Sequence, residues 1–445
     1  MSTALKSYDS NLETVLAKAE ELSSTGPAWL QEFRKSSLRT FREHGVPTPR
    51  TEDWKYTPLR QFAETEWALA DSAPHQDVSA YDSDSVRIVL VNGKLSSIEG
   101  AMPTGLEVCS IATCVQDGSF EVQELIGQAG PKTTQTFDRE ITPDVYPFGA
   151  LNDALFEDGV FIRIGAGAKI GPLIEVVHVS SPVSESSPKI SLPRVMVVAE
   201  KGSMARMVES YISTPTDSGA VIAVTEVFVR ETANLEHVRI QEHGPSSTHI
   251  GLWQTCQSKD STYTAYNVCF GAQLARLDQS IWIEGEGCTT RLDGVVCAND
   301  AQHIDNHTRL DHAVPNCNSF EIYKQVIDDQ ATVVFNGKIF VHQDAQKTDA
   351  KQTNQALLLS REATIDSKPQ LEIFADDVKC THGATVGQLE DTPMFYMRSR
   401  GMPKDQAEAV LVYAFAAEVL EMISIDPVRI SLEKKLYQKL GVDLT

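Results

Sequence analysis

The stretch that decides the fold begins with YTAYNVCF at residues 263–270 and continues with RLDQSIWIEG at 276–285 and RLDGVVCA at 291–298. Apolar and polar residues alternate in each segment, and polar residues or glycine separate one segment from the next. Alternation with a period of two is typical of a β-strand that buries one face. Similar segments follow one another from residue 159 to about residue 380, with no convincing helix between them. The sequence therefore predicts a long run of consecutive short strands.

Such a run fits a large sandwich, a propeller or a β-helix. Residues 331–341, ATVVFNGKIFV, weakly resemble residues 363–373, ATIDSKPQLEI. No strict period accompanies this similarity, so neither a blade length nor a coil length follows from it. Periodicity alone predicts a repetitive, mainly β core and leaves the three architectures open.

Helical patterns replace the alternation on both sides of the core. Residues 12–22 and the segment that begins at Pro27 carry apolar residues at helical spacing, and further helical segments begin at Pro403 and Pro427. The predicted domains are a helical and mixed region at residues 1–158, the β core at 159–388 and a helical region at 389–445.

Two finer expectations concern a loop and a helix face. SSPVSESSP at residues 180–188 is typical of an exposed loop. The long C-terminal helix is expected to bury a wide apolar stripe. Its predicted members are Ala407, Val410, Leu411, Ala414, Phe415, Ala417, Leu420, Met422 and Ile423.

Composition excludes several classes of function. The chain has 445 residues, which exceeds the ~250–300 at which a single compact core stops growing, so several domains or an elongated solenoid are expected. A formal net charge of −22 argues against binding to nucleic acid or to an anionic membrane surface. The N-terminal sequence has no signal-peptide or transit-peptide character, and no apolar run reaches the ~18–20 residues of a membrane span. We therefore expect a cytoplasmic protein.

The cysteines favour a reducing compartment. All eight lie outside CxxC pairs and are too sparse for a disulfide framework or a zinc ribbon. Five of them alternate with apolar residues and are expected to pack inside the core as small hydrophobes, with sulfur relay as the less favoured alternative. These five are Cys256, Cys269, Cys288, Cys297 and Cys317.

Two other motif candidates carry little weight. No glycine-lysine pair lies in a complete Walker A sequence, so the chain is not expected to hydrolyse ATP. HIDNHTRLDHAVPNC at residues 303–317 gathers histidines, aspartates and a cysteine. Ile304 stands where a zinc-protease glutamate would be needed, and the surrounding pattern is strand-like. A structural or solvated cluster is therefore favoured there over a metal site.

Residues 376–401, DDVKCTHGATVGQLEDTPMFYMRSRG, combine a pair of potential metal ligands with a helix start. In an extended segment, Cys380 and His382 lie on the same face because strand side chains alternate. Thiolate and imidazole both bind iron, so one strand could offer two ligands to a metal ion or cluster. The alternative is a buried free cysteine beside a hydrogen-bonded histidine.

This segment, together with RTEDWKYTPL at residues 50–59, resembles the SufB/SufD family of SUF iron–sulfur cluster assembly scaffold proteins. The resemblance covers essentially the whole chain. It implies a right-handed parallel β-helix core between N-terminal and C-terminal helical regions. Gly383 stands where SufB typically has glutamate, so the match is to the SufD branch and independent cluster assembly is not expected.

The resemblance also implies partners and cargo. A SufB-type paralogue would pair with the core, and a SufC-type ABC ATPase would supply ATPase activity, while a homodimer is left open as the resting state. His382, with Cys380, would help to hold a transient iron–sulfur cluster or iron at the SufB interface. Flavin is associated with the family complex, and no residue places it here. The helix joint expected to receive the ATPase comprises Phe395, Tyr396, Arg398, Arg400, Gly401, Met402 and Pro403.

One enzyme alternative was weighed. β-Helices also serve polysaccharide lyases and hydrolases, which use grooves lined by carboxylates. Candidates here are Asp278, Glu284, Glu286 and Asp293. Such enzymes are generally exported, whereas this sequence shows no signal peptide, so the scaffold interpretation is preferred.

Overall fold

The computed structural model describes residues 9–71, 78–136, 139–181 and 188–441. Most of the predicted loop at 180–188 therefore lies outside the described residues. The described strands are β1 (Ala68–Leu69), β2 (Val86–Val91), β3 (Lys94–Glu99), β4 (Leu106–Ser110), β5 (Thr134–Thr136), β6 (Arg139–Ile141), β7 (Val160–Ile164), β8 (Ile174–Ser180), β9 (Lys189–Ser191), β10 (Arg194–Ala199), β11 (Met204–Ser213), β12 (Ala220–Val229), β13 (Asn234–Glu242), β14 (Thr248–Gln257), β15 (Thr262–Cys269), β16 (Leu274–Ile283), β17 (Thr289–Ala298), β18 (His303–His312), β19 (Asn318–Ile327), β20 (Thr332–Val341), β21 (Asp349–Leu358), β22 (Thr364–Ile373) and β23 (Lys379–Gly387).

Helices occupy the two ends of the chain. The described α-helices are α1 (Glu13–Leu22), α2 (Ala28–His44), α3 (Arg60–Glu64), α4 (Ile111–Gln116), α5 (Phe120–Leu125), α6 (Pro147–Leu155), α7 (Asp391–Ser399), α8 (Lys404–Leu420) and α9 (Asp426–Lys439), with short 3-10 helices at Asp9–Leu12 and Glu52–Trp54. None of the helices in the described part of the chain combines the length and the hydropathy of a membrane span.

The core is a β-solenoid of two facing sheets. From β7 onwards the chain passes back and forth between the two sheets. We call them sheet A, which ends with the strands β18-β20-β22, and sheet B, which ends with the strands β19-β21-β23. Neighbouring strands are parallel and in register, as in the pairs Thr248↔Leu274 and Thr332↔Thr364. The predicted parallel β-helix core with helices on both sides is confirmed. The weakly similar segments 331–341 and 363–373 are successive coils of sheet A.

Side chains alternate between the solenoid interior and the two outer faces, as the period-two pattern predicts. The interior holds a continuous apolar cluster, which includes Val160, Val195, Leu277 and Ile339. Burying branched side chains on both faces is typical of parallel sheets, which need cover on each side. The flanking helices provide that cover.

The N-terminal helices cover sheet A. Val15, Ala19 and Phe41 pack in one cluster with Ile222 and Ile250 of the sheet. This confirms that the N-terminal helices are amphipathic, and it explains their stability, because an isolated helix of this length is marginal in water.

The C-terminal helices cover sheet B. Val412, Ala416 and Val419 of α8 pack in one cluster with Val268 and Val326 of the sheet. The predicted stripe was wrong in part. Ala414 is exposed, Val410 and Leu411 are only half-buried, and the buried face instead includes Val412. Because α8 is apolar nearly all round, its sequence does not mark the face that the sheet covers.

The segment RTEDWKYTPL fastens the N-terminal region to sheet A. The guanidinium carbon of Arg276 lies 3.8 Å from the centroid of the Trp54 ring, and Arg276 Nη1 donates a hydrogen bond to the carbonyl oxygen of Asp53 at 2.6 Å. Arg276 also forms ion pairs with Asp278 and Asp305. Trp54 is therefore an anchor, and the guanidinium that it covers is fully paired.

The two ends of the solenoid differ. At the first end, β4 closes sheet A and the β2-β3 hairpin closes sheet B, both through antiparallel pairing. At the last end, β22 pairs only with β20 and β23 only with β21 among the described strands. Because the strands at the first end continue the sheets of the core, the division at residues 158 and 388 stays a prediction.

Candidate functional site

The predicted ligand pair lies on the terminal strand of sheet B. In β23, Cys380 is in register with Ala350 and His382 with Gln352. Ala350 belongs to the interior cluster and Gln352 is 1% exposed, so both ligand candidates project along the inner rows of the solenoid. Cys380 and His382 thus share one face, as the spacing predicts, although their role as ligands stays a prediction.

Their surroundings differ. Cys380 is half-buried and packs against the interior cluster, and burial raises the pKa of its thiol. His382 is exposed at the open end of the solenoid. A thiol with a raised pKa binds a metal ion only by giving up its proton to it, which weakens binding at neutral pH.

A polar row lies directly beneath His382. Gln352 Nε2 donates a hydrogen bond to Glu321 Oε2 at 2.7 Å, and Thr308 Oγ1 donates to Glu321 Oε1 at 2.6 Å. Burial raises the pKa of Glu321 to about 7. Neither Glu321 nor Gln352 was predicted from the sequence as a residue of the site. The detectable signal was the coil length, since Glu321, Gln352 and His382 occupy the same position in three successive coils.

The predicted ATPase-binding joint is exposed. No side chain of α7 is buried, and Phe395 is 75% and Tyr396 59% exposed. Arg400 donates a hydrogen bond to the Tyr396 hydroxyl at 3.1 Å and its guanidinium lies over the same ring. Arg398 lies in the last turn of α7, where a cation stabilises the helix dipole.

The rest of the joint is a turn. Gly401 has a φ of 92°, a conformation that favours glycine, and Pro403 precedes the first residue of α8. Met402 between them is half-buried. The joint therefore presents two large aromatic side chains and two arginines at the end of α7, next to the turn that leads into α8.

The histidine-rich segment at residues 303–317 contains β18, and its polar side chains form a hydrogen-bonded network. His303 and Asp305 both contact Thr57 Oγ1, His307 pairs with Asp305 at 3.1 Å, and His312 contacts Ser319. Among the described residues, no group of three or more His, Cys, Asp or Glu side chains is arranged to hold a metal ion.

The five central cysteines are buried, but not all lie inside the solenoid. Cys269, Cys288 and Cys317 face the interior or its corners. Cys256 packs on the outer face of sheet A with the N-terminal helices, and Cys297 packs on the outer face of sheet B with the C-terminal helices. The prediction of interior packing was wrong for these two, because in a solenoid covered by helices the outer faces are apolar as well.

Neither of two cavities in the described part of the chain identifies a flavin site. The cavity beside Trp54, Tyr146 and Arg276 encloses about 40 Å³, which is room for about one water and not for an isoalloxazine ring. A shallow concavity of about 610 Å³ has an acidic lining that includes one cation, and it comprises Asp300, Asp329, Gln330, Ser360, Arg361 and Glu362. No step is assigned to a flavin.

The carboxylates of the enzyme alternative do not form one groove. Asp278 lies on sheet A, where it is paired with Arg276, and Asp293 lies on sheet B, where it is paired with Arg291. Glu284 is paired with Lys132 at 2.9 Å. Because both side chains lie on the outer faces of the two sheets, which point in opposite directions, Asp278 and Asp293 cannot act on one sugar.

Comparison with known proteins identifies the family of the chain. A family model described as "SUF system FeS cluster assembly, SufBD core domain" matches residues 182–415, and one described as "SufBD protein N-terminal region" matches residues 8–176. The chain belongs to the SufB/SufD family. Membership places it among the SUF-system proteins of iron–sulfur cluster assembly.

Three relatives in this family match over most of their length. The chain is 29% identical over 416 residues to "Iron-sulfur cluster assembly protein SufD" of Escherichia coli (strain K12), covering 92% of each chain. It is 24% identical over 431 residues to the protein of the same name from Bacillus subtilis (strain 168), covering 93% of this chain and 94% of that one. "Protein ABCI7, chloroplastic" of Arabidopsis thaliana is 27% identical over 414 residues, covering 88% of this chain and 82% of that relative.

Proposed function

We propose that the chain is a non-catalytic scaffold subunit of the SufD type, which works in the cytoplasm with a SufB-type paralogue and a SufC-type ABC ATPase. The observation that carries this proposal is the open last coil, in which β23, a strand with one open edge among the described strands, presents Cys380 and His382. Two ligands are too few to hold a cluster firmly, so a partner must supply the others. Weak holding suits a cluster that is assembled and then passed on.

The pairing strand is β23. A long exposed edge strand with free N–H and C=O groups readily pairs with another chain. β22 carries Pro369, which has no N–H to donate, whereas the nine residues of β23 contain no proline. A SufB-type partner that extends sheet B along β23 would bring its own ligands beside His382.

The ATPase surface is the joint between α7 and α8. Phe395 and Tyr396 are large aromatic side chains with little contact to the rest of the chain, and such side chains carry most of the binding energy at protein interfaces. Arg398 and Arg400 can add directed hydrogen bonds to a partner. ATPase activity belongs to the SufC-type partner in this proposal.

Affinity purification of the tagged chain from its native host tests the proposal. Recovery of a SufB-like protein and an ABC ATPase in stoichiometric amounts is the expected result. The isolated chain should be colourless and should not hydrolyse ATP. Intrinsic ATPase activity, or a stable stoichiometric cluster on the chain alone, would contradict the scaffold role.

A further inference from the structure

In the side-chain amide of Gln352, the nitrogen is hydrogen-bonded and the oxygen is not, among the described residues. Its side chain is 1% exposed, and its Nε2 donates to Glu321. Its Oε1 is buried without a hydrogen-bond partner among the described residues. A buried polar atom without a partner costs about 1–3 kcal/mol. A leucine would fill the same volume without that cost, so packing alone does not account for a glutamine here.

Glu321 fixes which end of the amide is left over. Both of its carboxyl oxygens accept hydrogen bonds, one from Thr308 Oγ1 and one from Gln352 Nε2. Glu321 is 1% exposed and its two donors are both uncharged. Because the carboxyl holds the amide N–H group, the amide oxygen is the group that remains available.

The next residue along this inner row is His382, which is in register with Gln352. Side chains that are in register on neighbouring strands stand about 5 Å apart on the same face. The imidazole is therefore the group that can reach Gln352 Oε1. A histidine that binds a metal generally donates its other ring N–H to a carbonyl or carboxylate, which fixes its tautomer and its orientation.

We propose that Gln352 is a positioning residue for His382, with Oε1 accepting a hydrogen bond from one imidazole N–H so that the other ring nitrogen faces the open end as an iron ligand. Glu321 and Thr308 hold the amide in the required orientation. The inference rests on the proposed function for the ligand role of His382. The proposed hydrogen bond needs no residue outside this chain, and it would satisfy the oxygen that the structure leaves without a partner among the described residues.

The test is ¹⁵N NMR of the full chain with labelled histidine at pH 8, with the His382 signals identified through their loss in His382→Ala. We expect one dominant tautomer in the unsubstituted chain. Gln352→Met keeps the volume and removes the acceptor, so the tautomer ratio should move to that of a free imidazole. Gln325→Met is the matched control, because Gln325 is also buried in the interior but lies in a different inner row.

An unchanged tautomer ratio in Gln352→Met would overturn the proposal, and so would an equal change in Gln325→Met. If Gln352→Met lowers the melting temperature, Gln352→Asn provides the same test, because its shorter side chain withdraws the oxygen from the ring while it stays polar. Asn at this position should also lose the dominant tautomer, and its retention would contradict the proposal.

A second measurement separates this inference from the proposed function. Loss of an outer partner of a metal-binding histidine typically lowers metal affinity by about 10- to 100-fold. The amount of iron retained by the purified complex that contains Gln352→Met should be lower by a factor within that range. If the tautomer responds to Gln352 but His382→Ala leaves cluster assembly intact, the positioning holds and the ligand role fails. If assembly needs His382 but the tautomer ignores Gln352, the ligand role holds and the positioning fails.

Discussion

The two ends of the solenoid solve the same structural problem differently. At the first end, the edge strands are short and antiparallel, the β2-β3 pair contains a register shift, and β3 begins and ends with the charged residues Lys94 and Glu99. Such features discourage pairing with another chain. At the last end, β22 and β23 are ten and nine residues long, and the described part of the chain places no strand beyond them.

The interiors of the two ends differ as well. The inner faces of β2, β7 and β10 are apolar, with residues such as Ile88, Ile162 and Val197. Beneath β23 the inner row contains Glu321, Gln352 and finally His382. The first end is completed by strands of the chain itself, whereas the last end leaves one edge of β22 and one edge of β23 open among the described strands, which fits the proposed pairing with a partner. Substitutions at the first end should therefore change stability, and those at the last end should change binding.

The largest effect is expected on ATPase binding. Phe395→Ser combined with Tyr396→Ser should reduce recovery of the ABC ATPase, because each aromatic anchor contributes about 2 kcal/mol, or together about a thousandfold in affinity. Phe120→Ser is the control, since Phe120 is 65% exposed on α5 near the first end. Point substitutions are preferable to deletion, which would uncover the apolar outer face of sheet B. Equal loss of binding in the control would disprove the assignment.

Val386→Asp should separate pairing from folding. Val386 is 54% exposed in β23, so a charge there should change the unfolding free energy by at most about 0.5 kcal/mol. Buried against a SufB-type partner, the same charge should cost about 3 kcal/mol, or roughly a hundredfold in affinity. Ile98→Asp, at a 39% exposed position on β3, should leave pairing unchanged. Analytical ultracentrifugation of the mixed subunits measures the pairing affinity of both variants. Weaker pairing with Ile98→Asp instead of Val386→Asp would mean that the partner pairs with the first end and not with the last.

Glu321 should make the last coils sensitive to pH. Its folded-state pKa of about 7 exceeds the ordinary value of 4.5, so the folded chain takes up a proton that the unfolded chain releases. Its stabilising contribution is complete below about pH 4.5 and is lost as the pH rises through 7, by at most about 3 kcal/mol. Glu321→Gln removes this dependence, which urea unfolding at pH 5 and pH 8 would detect. Parallel pH profiles for the two proteins would contradict the assignment.

The smallest effect concerns the closed end. Asp158 accepts hydrogen bonds from the backbone N–H of Leu95 at 3.1 Å, the Ser110 hydroxyl at 2.6 Å and the backbone N–H of Ala112 at 3.2 Å. It thereby joins β3, β4 and α4. Asp158→Ala should lower the unfolding free energy by about 1–3 kcal/mol without changing partner affinity. Asp158→Asn keeps an acceptor oxygen and should lose less, and reduced partner binding would argue against a purely internal role.

Much of the architecture could be predicted from the sequence, because alternation with a period of two marks strands wherever they occur. The similarity between residues 331–341 and 363–373 already contained the coil length, since the two are in register. The buried face of α8 could not be predicted, because Ala414 and Val412 are both apolar residues in a helix that is apolar nearly all round. The positions of Cys256 and Cys297 were predicted wrongly for a related reason, because the covering helices bury the outer faces of the sheets as well as the sheets bury the interior.

The candidate site was only partly readable. Cys380 and His382 are close in sequence, and their common face follows from strand geometry. Glu321 and Gln352 are separated from His382 by whole coils, so only the register of the solenoid brings them together. A single polar residue at an inner position looks like a break in the alternation, and that is why it escaped notice.

The most direct test of the central claim is anaerobic cluster assembly on the purified complex that contains His382→Ala, followed by absorbance and iron content. Thr381→Ala is the control, because Thr381 is on the same strand and its side chain points to the opposite face. Loss of an outer partner of a metal ligand lowers metal affinity by roughly 10- to 100-fold. The account predicts that cluster assembly with His382→Ala falls by at least this factor, while the subunit stays folded and paired. Cys380→Ala should lose less. Assembly at the unsubstituted rate in His382→Ala, or an equal loss in Thr381→Ala, would contradict the claim that the open end receives the cluster.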